Sequence, residues 1–136
     1  TCPVDVVVSK NLEGIGKNKD IKEIDDDEMI LDIGSKTISS IKKIINDSNT
    51  ILWNGPAGYC ENLNFQNGTK QILEIISQKT KNDKIFSVAG GGETVAAINK
   101  FKKLDSFTFV STAGGAFLEH LEGKTLPGIK ALNRNV

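Results

Sequence analysis

The sequence has few of the residues that many catalytic and binding motifs need. Its 136 residues include one histidine, two cysteines and few aromatic side chains. A single histidine, His120, excludes a histidine-rich metal cluster and gives no sign of a catalytic triad. Because Cys2 and Cys60 lie far apart, they form neither a disulfide framework nor a zinc motif. The low aromatic content also argues against a base-stacking surface for nucleic acid.

The sequence also lacks an excess of either charge and any long apolar run. Lys+Arg and Asp+Glu both number 17, so the net charge is zero. Binding to a polyanion usually needs a basic surplus, so no nucleic-acid partner is expected. With no apolar run long enough to span a bilayer and no secretory signal, we expect no membrane association and a cytoplasmic location. The length fits one domain or part of one, and the abrupt apolar start after Thr1 predicts a fragment.

The most distinctive feature is a triple glycine, Gly90–Gly92, followed by Glu93 and Thr94. It follows an apolar segment and precedes a helix-like one, the layout of a strand, a tight turn and a helix N-terminus. Such a turn presents backbone N–H groups and the positive end of a helix dipole, which suit a phosphate. The segment Val110–Ala116 repeats this arrangement. Two such turns in one short chain favour phosphoryl chemistry.

The two common phosphate-binding fingerprints are absent. The dinucleotide pattern G-x-G-x-x-G fails because Val95 stands at its third required glycine. The Walker A pattern does not occur either. The sequence therefore predicts a phosphate site of another kind.

Apolar periodicity predicts strands that alternate with helices. The predicted strands are Val4–Val8, Met29–Ile33, Thr50–Trp53, Lys84–Val88 and Phe107–Val110. The predicted helices are Lys36–Asn46, Asn67–Lys79, Thr94–Lys103 and a last one through Phe117–Leu121. Ser35 or Thr37 is expected to cap the first helix. No strand or helix is predicted in the polar stretch Lys10–Asp27, and the acidic run Asp25–Glu28 is expected to be a solvated loop rather than a metal site.

This alternation predicts an α/β domain with a parallel sheet and right-handed crossovers. Ligands of such sheets bind beyond the carboxyl ends of the strands. The Gly-rich loops after Trp53, Val88 and Thr112 all lie at that edge. We therefore expect them to converge on one site, with Trp53 itself in the core.

Two carboxylates near these loops are open to two interpretations each. Glu93 is either a contact to Mg²⁺, which proteins hold through one or two carboxylates plus substrate phosphates, or a stabiliser of its helix N-terminus. Thr94 either donates its hydroxyl to a phosphate or caps the helix. Glu61 either accepts ribose hydroxyls or is simply solvated.

Seven segments, in their order and spacing, resemble those of the phosphoglycerate kinase family. They are Pro3–Val8, Leu31–Gly34, Trp53–Pro56, Gly68–Thr69, Gly90–Thr94, Ser111–Ala116 and Leu121–Gly128. The resemblance covers only the distal part of that enzyme. It implies that residues 1–136 are the C-terminal portion of a nucleotide-binding, Rossmann-like domain. That domain would be a partial three-layer α/β/α unit, separate from the domain that binds the phosphoglycerate substrate.

The resemblance also implies an activity. The family transfers a phosphoryl group reversibly between 1,3-bisphosphoglycerate and ADP, giving 3-phosphoglycerate and ATP, with Mg²⁺ bound to the nucleotide. Its partners would be these small molecules, and the parent enzyme would be a monomer. The family's transition-state Lys lies upstream of Thr1 and its Arg lies in the other domain. We therefore expect no turnover from this chain alone.

Residue by residue, the resemblance assigns one part of the site to the nucleoside. Leu31 would pack on the adenine, and Pro56 would flank it. Glu61 would accept the ribose hydroxyls, while Asn54 would approach the phosphates.

The resemblance assigns the glycine turns to the phosphates. Gly91, Gly92, Glu93 and Thr94 would hold the phosphates and the metal ion, with Glu93 as the metal contact. The backbone N–H groups of Gly92 and Gly115 would stabilise the phosphoryl group in transfer.

The sequence departs from the family at four positions. Glu93 replaces a usual Asp, Ala113 a glycine, Ile30 a frequent glycine and Ser35 a frequent proline. Two other functions remain open at this point: a non-catalytic nucleotide-binding module, and a dinucleotide-dependent oxidoreductase, which the broken fingerprint disfavours.

Overall fold

The computed structural model describes residues 1–83 and 85–133. Within them the chain forms six strands and five α-helices. The strands are β1 (Asp5–Ser9), β2 (Lys17–Asp20), β3 (Met29–Ile33), β4 (Thr50–Asn54), β5 (Phe86–Gly90) and β6 (Phe109–Val110). The helices are α1 (Ser35–Asn46), α2 (Asn67–Asn82), α3 (Gly92–Lys100), α4 (Gly115–Leu121) and α5 (Pro127–Leu132).

The second half of the chain is built on a parallel sheet with the order β4-β5-β6. Thr50 pairs with Phe86 and Asn54 with Gly90, so β4 and β5 end level with each other. The loops that follow all three strands leave from the same edge of the sheet, because parallel strands share their carboxyl ends. The predicted α/β class and parallel sheet are confirmed.

The prediction for the first half of the chain was wrong in one respect. The first strand does not join the parallel sheet but lies in the middle of a separate antiparallel sheet with the order β2-β1-β3. Its partner β2 falls within the polar stretch Lys10–Asp27, where no strand was predicted. The β2 residues Lys17–Asp20 are all polar, so the sequence carries no apolar alternation that would indicate a strand.

One face of the parallel sheet carries the core. Trp53 of β4 is buried, as predicted, and stacks on Phe107 with ring centroids 6.1 Å apart. Ala89 of β5 lies beside them. Helices α1, α2 and α3 cover this face with buried apolar side chains, which are Ile45 of α1, Ile72, Leu73 and Ile76 of α2, and Ile98 of α3.

The opposite face is only partly covered. Leu52, Val88 and Phe109 align across the three strands, and Leu52 and Phe109 are 51% and 54% exposed. Phe117 of α4 lies against this face at Gly90, where an added Cβ would come within 2.5 Å of its ring. Helices therefore lie on both sides of the sheet, but much of this second face remains exposed within the described residues.

The cap of α1 comes from a distant strand. Gly34 occupies the N-cap position without a side-chain bond, so neither Ser35 nor Thr37 fills it. Instead the buried carboxylate of Asp5 accepts hydrogen bonds from the backbone N–H of Lys36 (2.9 Å) and Thr37 (2.8 Å). Burial alone would raise the pKa of Asp5, but hydrogen bonds from Lys36, Asn18 and Thr37 outweigh it and hold that pKa well below its usual range. A charged carboxylate thus ties β1 to the start of α1.

The remaining differences concern boundaries. The strand predicted over Lys84–Val88 is observed as β5, and Lys84 lies outside the described residues. Helix α3 begins two residues earlier than predicted, at Gly92, and α5 was not predicted. None of the helices in the described part of the chain has the length and apolar character that a bilayer crossing requires.

Candidate nucleotide site

The loop that follows β4 is fixed by backbone bonds to two helices. Gly55 has a φ of +93°, which lets the chain turn sharply away from the strand. Its N–H donates to the Thr94 hydroxyl of α3 at 2.6 Å. Two residues later, the N–H of Ala57 donates to the buried Thr69 hydroxyl of α2 at 2.9 Å. The loop is therefore anchored to both helices at its start.

The same loop is also bound to β3. The N–H of Tyr59 donates to the carbonyl of Leu31 at 2.8 Å. Gly58 allows the close approach to β3, because an added Cβ would lie 2.5 Å from the Asp32 Oδ1. This bond brings Leu31 and Pro56, both predicted to contact adenine, into the walls of one cavity of about 460 Å³.

Asp32 also lines that cavity, but both of its carboxylate oxygens accept hydrogen bonds from backbone N–H groups. Its buried carboxylate accepts from the N–H of Gly68 and of Ile33, each at 2.8 Å. Burial raises the pKa of Asp32, and these N–H bonds offset only part of that effect. Asp32 therefore holds the start of α2, a role that the sequence analysis missed because Gly68 lies 36 residues away.

The triple glycine opens the start of α3. Gly91 has a φ of +92°, and an added Cβ there would lie 2.5 Å from the Asn54 Oδ1. The first helical bond of α3 runs from the Val95 N–H to the Gly91 carbonyl at 3.0 Å. The N–H groups of Gly92, Glu93 and Thr94 therefore have no partner within the helix. Nothing lies within 4 Å of a Cβ built on Gly92, so this end of the helix is open.

The Thr94 hydroxyl does not cap its own helix, and its donation to a phosphate stays a prediction. The side chain is fully buried. Its hydroxyl oxygen accepts from the Gly55 N–H instead. As an acceptor of that bond, the hydroxyl keeps its own proton to donate.

A second, larger cavity lies between the loop after β4 and α3. Its volume is about 630 Å³, and Glu61, Glu93, Cys60 and Lys100 are among its lining residues. The two cavities share Pro56, Gly58, Tyr59 and Glu93. The structure thus brings together Leu31, Pro56, Glu61 and Glu93 around adjoining cavities.

The other predicted residues do not line these cavities. Asn54 and Gly91 lie next to each other, and Gly92 is exposed at the start of α3. Gly115 is the first residue of α4. Just before it along the chain, the N–H of Ser111 donates to the Ala89 carbonyl of β5 at 2.8 Å. That bond keeps the second glycine turn at the same edge of the sheet as the first.

The charges at the site fit a metal ion that is held partly by its ligand. Among residues 1–83 and 85–133, no cluster of three or more His, Cys, Asp or Glu side chains is arranged to hold a metal. Glu93 is exposed and lines both cavities. Mg²⁺ needs few protein ligands when phosphates supply the rest. A single carboxylate beside open N–H groups is compatible with that arrangement.

Comparison with known proteins gives the family. The sequence model of the family described as phosphoglycerate kinase matches residues 1–124. The chain belongs to the phosphoglycerate kinase family. It is 49% identical to the phosphoglycerate kinase of Francisella philomiragia over 132 residues, which cover 96% of this chain and 33% of that protein. It is 46% identical to that of Blochmanniella floridana, covering 98% of this chain and 33% of the relative.

Solved phosphoglycerate kinases have the same fold. The Coxiella burnetii enzyme superposes with a TM-score of 0.90 at 40% identity, covering 99% of this chain and 34% of that one. The Pyrococcus horikoshii enzyme superposes with a TM-score of 0.80 at 32% identity, and the match covers 96% of this chain and 32% of that one. The chain therefore spans about a third of the length of the phosphoglycerate kinases it matches.

Sequence reasoning missed three residues of this chain that shape the cavities. Tyr59 lines both, and Lys100 lines the larger one. The Thr69 hydroxyl of α2 accepts a hydrogen bond from the Ala57 N–H in the loop after β4. Only Thr69 stood within a segment that carried the family resemblance, and no local signal marked Lys100 among the other lysines of the chain.

Proposed function

We propose that this chain supplies the Mg-nucleotide half of a phosphoglycerate kinase, which transfers a phosphoryl group between 1,3-bisphosphoglycerate and ADP. The observation that carries the proposal is the meeting of the β3 end, the loop after β4 and the α3 N-terminus around two adjoining cavities. Nucleotide sites of parallel sheets lie at this edge. The family membership supports the same reaction.

The nucleoside would lie along the two cavities. Leu31 and Pro56 offer apolar surface to the adenine in the smaller cavity. Glu61 lines the larger cavity, where its carboxylate would accept the ribose hydroxyls. The backbone bond from Tyr59 to Leu31 fixes these walls before any ligand arrives, which reduces the cost of ordering them on binding.

The phosphates would lie at the start of α3. The free N–H groups of Gly92, Glu93 and Thr94, together with the helix dipole, favour negative charge there. Asn54, packed against Gly91, would approach the same phosphates. Mg²⁺ bound to the nucleotide would neutralise phosphate charge, and Glu93 would hold it. The N–H groups of Gly92 and Gly115 would stabilise the phosphoryl group in transfer, since this chemistry needs mainly positioning and charge neutralisation.

A hybrid enzyme tests the catalytic part of this proposal. We expect that replacing the corresponding third of the Coxiella burnetii kinase with this chain gives an enzyme with phosphoglycerate kinase turnover, while the chain alone gives none. In the hybrid, Glu93→Ala should lower kcat/KM for MgADP about 100-fold, because a charge that neutralises the transition state is lost. Glu93→Asp, which restores the residue usual in the family, should retain activity.

The matched control for the hybrid is Glu74→Ala, which removes an exposed glutamate on α2 outside both cavities. It should leave kcat/KM unchanged. A folded hybrid that binds MgADP but has no turnover would instead favour a non-catalytic nucleotide-binding module. Equal activity in the Glu93→Ala hybrid would refute the assigned role of Glu93.

A further inference from the structure

Lys100, in the last turn of α3, makes one bond that reaches across the larger cavity. Its ammonium Nζ donates to the backbone carbonyl of Cys60 at 2.5 Å. Both residues line that cavity, together with Glu61. No carboxylate lies within ion-pair distance of the Lys100 Nζ in the described residues. In the described residues, the Lys100 ammonium is therefore held by a hydrogen bond to a backbone carbonyl and not by an ion pair.

The accepting carbonyl belongs to the peptide that joins Cys60 to Glu61. Because a peptide unit is planar, fixing its carbonyl oxygen fixes the direction of its N–H and of the following Cα. A rotation of this peptide would swing the Glu61 side chain away from the cavity. The Lys100 bond thus acts on the residue proposed to accept the ribose hydroxyls, without touching its carboxylate.

Cys60 is also held from its other side. Its thiol donates to the buried Thr69 hydroxyl at 3.2 Å. Burial raises the pKa of the Cys60 thiol, which keeps it protonated as a donor. Cys60 is therefore fastened to α2 through its side chain and to α3 through its carbonyl. Of these two contacts, only the one from Lys100 acts on the peptide that leads to Glu61.

We propose that Lys100 is a positioning residue that sets Glu61 for recognition of the nucleotide ribose. The proposal rests on the proposed function, because it takes the ligand of the larger cavity to be the ribose of ADP. It goes further by assigning ribose selectivity to a residue that need not contact the ligand.

The test separates positioning from simple charge attraction. The affinities of the chain for MgADP and for the Mg complex of 2′,3′-dideoxy-ADP are measured by calorimetry, and their ratio reports ribose recognition. We expect a ratio of about tenfold for the unaltered chain, because hydroxyl bonds to a carboxylate are lost in the dideoxy ligand. Glu61→Ala should reduce the ratio to about one.

Lys100→Met should also bring the ratio close to one, while Lys100→Arg, which keeps a donor for the Cys60 carbonyl, should retain most of it. The control is Lys43→Met, which removes an exposed lysine from the last turn of α1. It should leave the ratio unchanged. If Lys100→Met weakens the binding of both ligands by the same factor, the ratio is unchanged and the positioning role is refuted, because the loss then comes only from the removed charge.

Each result decides between the two proposals. If Glu61→Ala abolishes the ratio but Lys100→Met leaves it intact, the positioning role is refuted and the proposed function stands. If the unaltered chain shows no ribose preference, or no binding of MgADP, the ribose site itself is refuted and the positioning role with it.

Discussion

A Gly91→Ala variant is expected to bind MgADP about 100-fold more weakly than the unaltered chain, because the loss of about 2.8 kcal/mol corresponds to one or two charge-assisted hydrogen bonds to the phosphates. At Gly91 the φ is +92°, which an alanine adopts only with strain. The added Cβ would also lie 2.5 Å from the Asn54 Oδ1. Relief of that overlap must move either Asn54 or the start of α3, and both are assigned to the phosphates. Calorimetric titration with MgADP measures the effect.

Gly123→Ala provides the matched control for this variant. Gly123 has a φ of +81°, but nothing lies within 4 Å of a Cβ built there. Both variants should therefore lose about 1–2 kcal/mol of unfolding free energy from backbone strain. Only Gly91→Ala should lose nucleotide affinity. Equal affinities in the two folded variants would show that the turn at Gly91 does not form part of the site.

Replacing Asp5 by alanine is expected to lower the free energy of unfolding by about 3 kcal/mol at pH 7, because two backbone donors at the start of α1, one buried and one partly buried, lose their charged acceptor. Those donors are the N–H groups of Lys36 and Thr37. Urea unfolding followed by circular dichroism measures the change. The control is Asp26→Ala, an exposed aspartate, which should change stability little.

The same variant should also change how stability depends on pH. The pKa of Asp5 is depressed in the folded state, so below the ordinary aspartate value of about 3.9 the unfolded chain binds more protons than the folded one. The stabilisation is therefore complete above that value and declines as the pH falls toward the folded pKa. The difference in unfolding free energy between the unaltered chain and Asp5→Ala should be about 1 kcal/mol smaller at pH 3 than at pH 7. A difference that does not change with pH would contradict the depressed pKa.

The sequence predicted the parallel half of the fold well because its signals are local. The segment Thr50–Trp53 is a short apolar run that ends at a Gly-Pro loop, and the observed β4 extends it by one residue. The amphipathic pattern over Asn67–Lys79 likewise predicted α2, which ends three residues later. In both cases the side chains that decide the structure lie next to each other along the chain.

The antiparallel half could not be predicted in the same way. Whether the run Val4–Val8 enters one sheet or another depends on which strand pairs with it. Its partner β2 is polar throughout, so it carries no strand pattern. The Asp5 cap could not be predicted for the same reason. The Asp5 carboxylate accepts a hydrogen bond from the N–H group of Thr37, which lies 32 residues away in the sequence. Contacts of this kind are set by tertiary structure and leave no periodic mark.

The candidate site falls between these two cases. Glycine turns and motif residues indicated where Gly91 and Glu93 would lie, because turn chemistry is local. The division of the site into two cavities could not be predicted, since it depends on the bond from Tyr59 to Leu31, two residues far apart in the sequence. Lys100 was missed for a similar reason: its bond to Cys60 spans 40 residues.

The most direct test of the central claim is a calorimetric titration of this chain with MgADP, with NADH as the control ligand. We expect saturable binding of one MgADP per chain, weakened by Glu61→Ala and by Glu93→Ala, and no binding of NADH. A chain shown by circular dichroism to be folded that binds NADH in preference, or binds neither ligand, would contradict the claim that these loops form a nucleotide site.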